Sequence, residues 1–137
     1  MGSEFLQPPG WAAPKGYSNG VSTRGRQVYL AGQIGWNESQ QLVSTRFAVQ
    51  VRQALQNIMV LLAQAGGRPE HLVRLTWFVT NLDEYRAEQK DIGAAYRDVI
   101  GRHYPPMSVV QVVALVEPGA KVEIEATAVI PDPSEQS

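Results

Sequence analysis

The chain has 137 residues, the length of one ordinary domain, and 44% are hydrophobic, enough for a packed core. Twelve Lys and Arg stand against 13 Asp and Glu, a net charge of -1, so there is no basic footprint for nucleic acid and no nucleic-acid partner is expected. With no cysteine and only two histidines, His71 and His103, disulfides and thiolate chemistry are excluded and no metal site is expected.

Met1 to Phe5 (MGSEF) reads as a cloning scar and is set outside the fold. Residues 6–16 contain Pro8, Pro9, Gly10, Pro14 and Gly16, so residues 1–15 are expected to be scar and extended arm. Gln27 to Ile34 is β-branched and aromatic-rich and predicts a strand, with Val21-Ser22 pairing with it just before. Asn37 to Gln41 is polar and turn-like. Ser44 or Thr45 is expected to cap a helix whose apolar residues Phe47, Val51, Ala54, Leu55, Ile58, Leu62 and Ala65 recur at 3.6-residue spacing, and Gly66-Gly67 stops it.

Leu72 to Thr80 alternates, with Val73, Leu75, Trp77 and Val79 on one face and Arg74, Thr76, Phe78 and Thr80 on the other. Asn81 with Glu84 three residues on forms a capping-box variant, predicting one second helix with Tyr85, Ile92, Ala95, Tyr96 and Val99 inside and Gly101 at its end. Met107 to Val116 is apolar on both faces, as a central strand should be. Lys121 to Ile130 is a last strand burying Val122, Ile124, Ala126 and Ala128, and the polar residues 131–137 are expected to form a flexible tail.

The order ββ(β)αβαββ gives an α/β (α+β) domain over residues 16–130, one mixed sheet with two helices packed on one face. The other face carries Phe78, Val110 and Val112 with no helix left to cover it, and only 18% of residues are charged, so an oligomer is expected. No apolar run reaches membrane-span length, the longest being Ile58 to Ala65, and no basic-then-apolar leader is visible. The expected location is the cytoplasm, without a membrane partner.

Several segments in order resemble one family. Gly16-Tyr17-Ser18 with Gly20-Val21 is similar to its "GPYS.AV" stretch, Val28 to Ile34 to its "V..SGQI" strand, and Ala65-Gly66-Gly67 to its "AAG" helix end. Leu75 to Leu82 resembles "VTVFLTDM", Tyr96 to Ser108 resembles "Y.E.FG.H.PARS", and Gln111-Val112 with Val122 to Ala128 resembles the closing strands. The family is RidA, also called YjgF or the L-PSP endoribonuclease-like proteins. The resemblance implies a chorismate-mutase-like fold and a homotrimer whose three sheets form a central barrel. It implies small-molecule clefts between neighbouring subunits, and cofactor-free hydrolysis of 2-imino or enamine acids to 2-keto acids with release of ammonia.

In that family an Arg in the "PARS" segment holds the substrate carboxylate as a bidentate pair. Met107 stands there in this chain and offers neither charge nor donor. The resemblance assigns Glu123 to the acidic residue that holds the water, Tyr17 to the cleft tyrosine and Gly32 to the glycine whose backbone approaches the ligand. Ala31 stands where a serine is common, and Gly93 where the family often has Asn. Each residue has a plainer reading: Glu123 as the solvated face of a strand, Tyr17 as packing, Met107 as cleft lining or core, Gly32 as an aid to close packing. Three functions stay open. They are an imine or enamine deaminase with a non-standard substrate, a non-catalytic trimer binding a metabolite or a partner protein, and the RNA cleavage of an older family label. Net charge and the lack of a catalytic His pair speak against the last. Arg24 and Arg26 flank the first strand, either being a candidate cation for the cleft.

Overall fold

The computed structural model describes residues 3–133, so the expectations for Met1, Gly2 and residues 134–137 of the tail lie outside the described residues. The elements are β1 (Glu4–Phe5), β2 (Val21–Ser22), β3 (Arg26–Ile34), α1 (Phe47–Gln64), β4 (Leu72–Val79), α2 (Leu82–Ala87), α3 (Gln89–Val99), β5 (Met107–Gln111) and β6 (Val122–Ile130), with a 3-10 turn at Pro69–His71. The main sheet is mixed, in the order β3-β6-β4-β5. β6 runs antiparallel to both β3 and β4, and β5 runs parallel to β4.

α1 forms where the apolar spacing predicts it, and buries Phe47, Val51, Ala54, Leu55, Ile58 and Leu62. Its C-terminus closes as a Schellman motif. Gly66 has φ 83°, its N–H donates to Ala63 O at 2.9 Å, and the Gly67 N–H donates to Leu62 O at 2.9 Å. The N-terminus differs from expectation: Arg46 is the cap residue and makes no side-chain capping bond. Ser44 Oγ instead accepts from the Arg46 N–H at 2.9 Å, two residues before the cap position.

The second helix is two helices, so three rather than two lie on the covered face. The break falls at Glu88, with φ -108° and ψ 24°. Its carboxylate accepts from the Ala48 N–H at 3.3 Å, meeting one of the first-turn donors of α1 that have no helical partner. Asn81 caps α2 by accepting from the Glu84 N–H at 3.1 Å, while the Glu84 carboxylate goes to Lys121 at 3.1 Å. Half of the capping box therefore forms.

Two strand expectations are corrected. Val21–Ser22 does not pair with β3; it pairs antiparallel with Glu4–Phe5, residues set aside as scar. The arm can return because Gly10 takes φ 85° after two prolines and Leu6 N–H donates to Gly20 O at 2.9 Å. The apolar run from Met107 is an edge strand that ends at Gln111, not a central strand to Val116. The Gln111 side chain turns away to accept from the Leu82 N–H at 2.9 Å, and Val112 makes the last backbone bond to Val79 O at 2.8 Å. Val113 and Val116 beyond it are fully exposed.

β6 alternates as predicted, burying Val122, Ile124, Ala126 and Ala128 toward the helices. In β4 a register shift between Leu72 and Arg74 buries Leu72, Leu75, Trp77 and Val79 and leaves Val73 half-buried. The helix-free face carries Arg74, Thr76, Glu125 and Thr127 as well as Phe78 and Val110, so it is apolar at one end only. Among the described residues, no helix is long and apolar enough to cross a membrane.

Candidate functional site

A cleft of about 480 Å³ opens between the arm, the two short helices and the β5 edge. The arm supplies Lys15, Gly16 and Tyr17. It is held there by the Ser18 N–H, which donates to Pro105 O at 3.3 Å, and by the Ser18 hydroxyl, which donates to Tyr104 O. β5 supplies Met107 and Val109, on the face that packs against the core, since Met107 pairs with fully buried Leu75. Trp77 of β4 and Tyr85 of α2 meet edge-on at 6.4 Å. Trp77 Nε1 is the one buried side-chain polar atom left without a partner among the described residues.

The far wall is α3. Tyr96 stacks on Tyr104 at 5.3 Å and donates its hydroxyl proton to His103 O at 2.6 Å. Burial pushes the Tyr96 phenol well above its ordinary range, with the neighbouring Tyr104 adding to it, so Tyr96 stays a neutral donor. Gln89, Gly93 and Arg97 follow at four-residue spacing and share one helix face in the cleft. A Cβ on Gly93 would stand 3.2 Å from Arg97 Nη1.

A second group lies elsewhere. The β3–β6 register shifts between Leu30 and Gln33, so Ala31 and Gly32 sit in an irregularity of the kind found beside active sites. The half-buried Glu123 carboxylate lies against the bare backbone of Gly32, where a Cβ would come within 2.7 Å of Glu123 Cδ. Glu123 pairs with Phe78, on the helix-free face. The six residues singled out in the sequence thus divide: Tyr17, Gly93 and Met107 line the cleft, while Ala31, Gly32 and Glu123 do not. In one protomer Met107 and Glu123 point to opposite faces of the sheet.

The remaining candidates have structural duties. Arg26 donates to Ala65 O at 2.9 Å, finishing α1, and neither it nor Arg24 lines the cleft. His71 Nδ1 accepts from the Arg68 N–H at 2.9 Å, and His103 Nε2 meets Leu72 O at 2.7 Å. Among the described residues no group of His, Cys, Asp and Glu could hold a metal ion. Sequence reasoning missed Lys15 and Arg97 as cleft residues and read Trp77, Tyr85 and Tyr96 as core. The one available signal was the spacing of Gln89, Gly93 and Arg97.

The family model described as Endoribonuclease L-PSP matches residues 9–130, and the chain belongs to this family, the RidA/YjgF proteins. The 2-iminobutanoate/2-iminopropanoate deaminase of Homo sapiens is 32% identical over 122 residues, 88% of this chain and 83% of that protein. The protein of the same name from Escherichia coli K12 is 32% identical over 116 residues, covering 82% of this chain and 86% of that one. Among solved structures, the Rid-family protein YyfB of Yersinia pestis, described as of unknown function, superposes with a TM-score of 0.83 at 31% identity, over 95% of this chain and 100% of that one.

Proposed function

We propose that the protein is a cofactor-free hydrolase of an imine or enamine, acting in clefts completed by a second and third copy of the chain. Glu123 carries the reading: a half-buried carboxylate with no hydrogen bond or ion pair among the described residues, laid against a glycine in a strand irregularity. A carboxylate so placed can orient a water and take its proton. The water oxygen adds to the electrophilic C=N carbon while the nitrogen is protonated. The carbinolamine then collapses, a proton passes from its hydroxyl, the C–N bond breaks, and a ketone and ammonia leave. The names of the human and bacterial relatives support this reaction class. Opposite placement of Met107 and Glu123 supports a shared cleft, because the two groups cannot meet within one chain.

The test is loss of freshly generated 2-imino acids followed against the buffer rate, with the Escherichia coli relative as positive control. Acceleration by this protein, reduced about 100-fold or more in Glu123→Gln, is expected from the reading in its ordinary form; with Met107 in place of the Arg, a non-standard imine or enamine is the substrate to test next. A rate no faster than buffer while the relative works would remove the ordinary substrate class. Met107 favours a second reading, a homotrimer that binds a metabolite or a partner protein without turning anything over. Met107→Arg separates the two: gained deamination would mean that only the anchor is missing, and an inert variant would favour the binding protein. RNA cleavage has less support, since each histidine ring already has a nitrogen engaged by the backbone.

A further inference from the structure

We propose that the cleft along α3 selects an amphipathic carboxylate, an anion with a flat apolar body, and that Arg97 takes its charge. The inference deepens the reading of this cleft as a small-molecule site and rests on it.

Among the described residues the exposed Arg97 makes no side-chain hydrogen bond and no ion pair, a state it shares with Arg24, Arg46, Arg74 and Arg102, but of these only Arg97 lines the cleft. Its neighbour Asp98 is turned away to Arg52. Gly93, one turn earlier, leaves the room that the guanidinium uses, since a Cβ there would meet Nη1 at 3.2 Å. Glycine weakens a helix interior, and this one has no left-handed φ to justify it. Across the cleft stands Lys15, which likewise has no ion pair among the described residues, and no Asp or Glu of the same chain lines the cleft. Two unpaired cations, against the one Glu123 that a neighbouring copy would bring, leave a net positive site in a chain of net charge -1. Trp77, Tyr85 and Met107 between them are apolar and flat or deformable, which suits the body of the ligand rather than its charge. Arginine's planar fork matches a carboxylate in two parallel bonds, so Arg97 is the anchor and Lys15 a supporting charge.

The experiment is titration calorimetry on the full chain with 3-phenylpropanoate, its uncharged isostere 3-phenylpropanamide, and acetate. The unaltered protein should bind the phenyl acid about tenfold or more tightly than either the amide or acetate. Arg97→Gln should bring the acid down to the amide and leave the amide unchanged. Gly93→Ala should raise the melting temperature while weakening the acid, because the new methyl crowds the guanidinium. Equal binding of acid and amide, a preference that survives in Arg97→Gln, or no binding of the acid at millimolar concentration would each overturn the proposal. Acid binding without imine turnover would leave it standing and count against the catalytic reading; turnover without charge selection would do the reverse.

Discussion

Gln50 is fully buried, and its side-chain hydrogen bonds all go to backbone. Its Nε2 donates to Ser44 O at 2.9 Å and Gly119 O at 3.0 Å, and its Oε1 accepts from the Lys121 N–H at 2.8 Å. One side chain thus ties the loop before α1 to the turn before β6. Gln50→Leu, close in size, should cost about 3 kcal/mol by orphaning those groups, read as a lower urea midpoint. Nothing in the sequence marked Gln50, because a polar residue in an amphipathic helix reads as solvent-facing. His71, 8% exposed, is a second buried polar residue. Desolvation lowers its pKa from 6.5, Glu70 opposes the shift, and Arg68 and His103 reinforce it. A His that stays neutral in the fold binds fewer protons than the unfolded chain does below pH 6.5. Its contribution is therefore present above that pH and lost as pH falls toward the lowered value, with a slope of at most about 1.4 kcal/mol per pH unit. Melting curves between neutral and mildly acid pH should show a flatter decline in His71→Asn than in the unaltered protein.

The elements legible in the sequence were those whose pattern is set by a single packed face. α1 and β6 have one such face each, and their apolar spacing placed the buried residues. The β5 edge was misread because an apolar run fits a central strand and an edge strand equally well until neighbours are known. The α2–α3 break was invisible because its cause, Glu88 reaching the α1 N-terminus, is a contact between segments 40 residues apart. The same limit governs the candidate site. Family resemblance pointed at six residues, but only the pairing of Met107 with Leu75 and of Glu123 with Phe78 reveals that they face opposite ways. Arg97 escaped notice because a lone charge on a helix reads as solvated surface. At the end of α1, Gly66→Ala should cost about 1 kcal/mol, measured by denaturant unfolding, because alanine resists a φ of 83°.

For the whole molecule the helix-free sheet face is the surface on which the proposed trimer rests. Phe78 and Val110 are adjacent there across β4 and β5, beside a polar row of Arg74, Thr76 and Glu125. The proposed trimer should sediment at three times the 15.1 kDa chain mass. Phe78→Asp should shift it toward monomer. Deamination should fall in the same variant, because a monomer cannot bring a Glu123 to a Met107. Retained activity in a monomeric Phe78→Asp protein would show that each chain carries a complete site.

The arm that contributes Lys15 and Tyr17 is tied within itself by the pairing of β1 with β2 and the Leu6 bond to Gly20, and to the domain by Ser18 against the Tyr104–Pro106 segment and Phe5 edge-on to His103 at 6.2 Å. Such a segment opens locally for far less free energy than the domain unfolds. If the arm is the side of the cleft that opens first, a ligand's residence time should change on mutation at the Pro8–Gly10 bend, far from any residue that touches it.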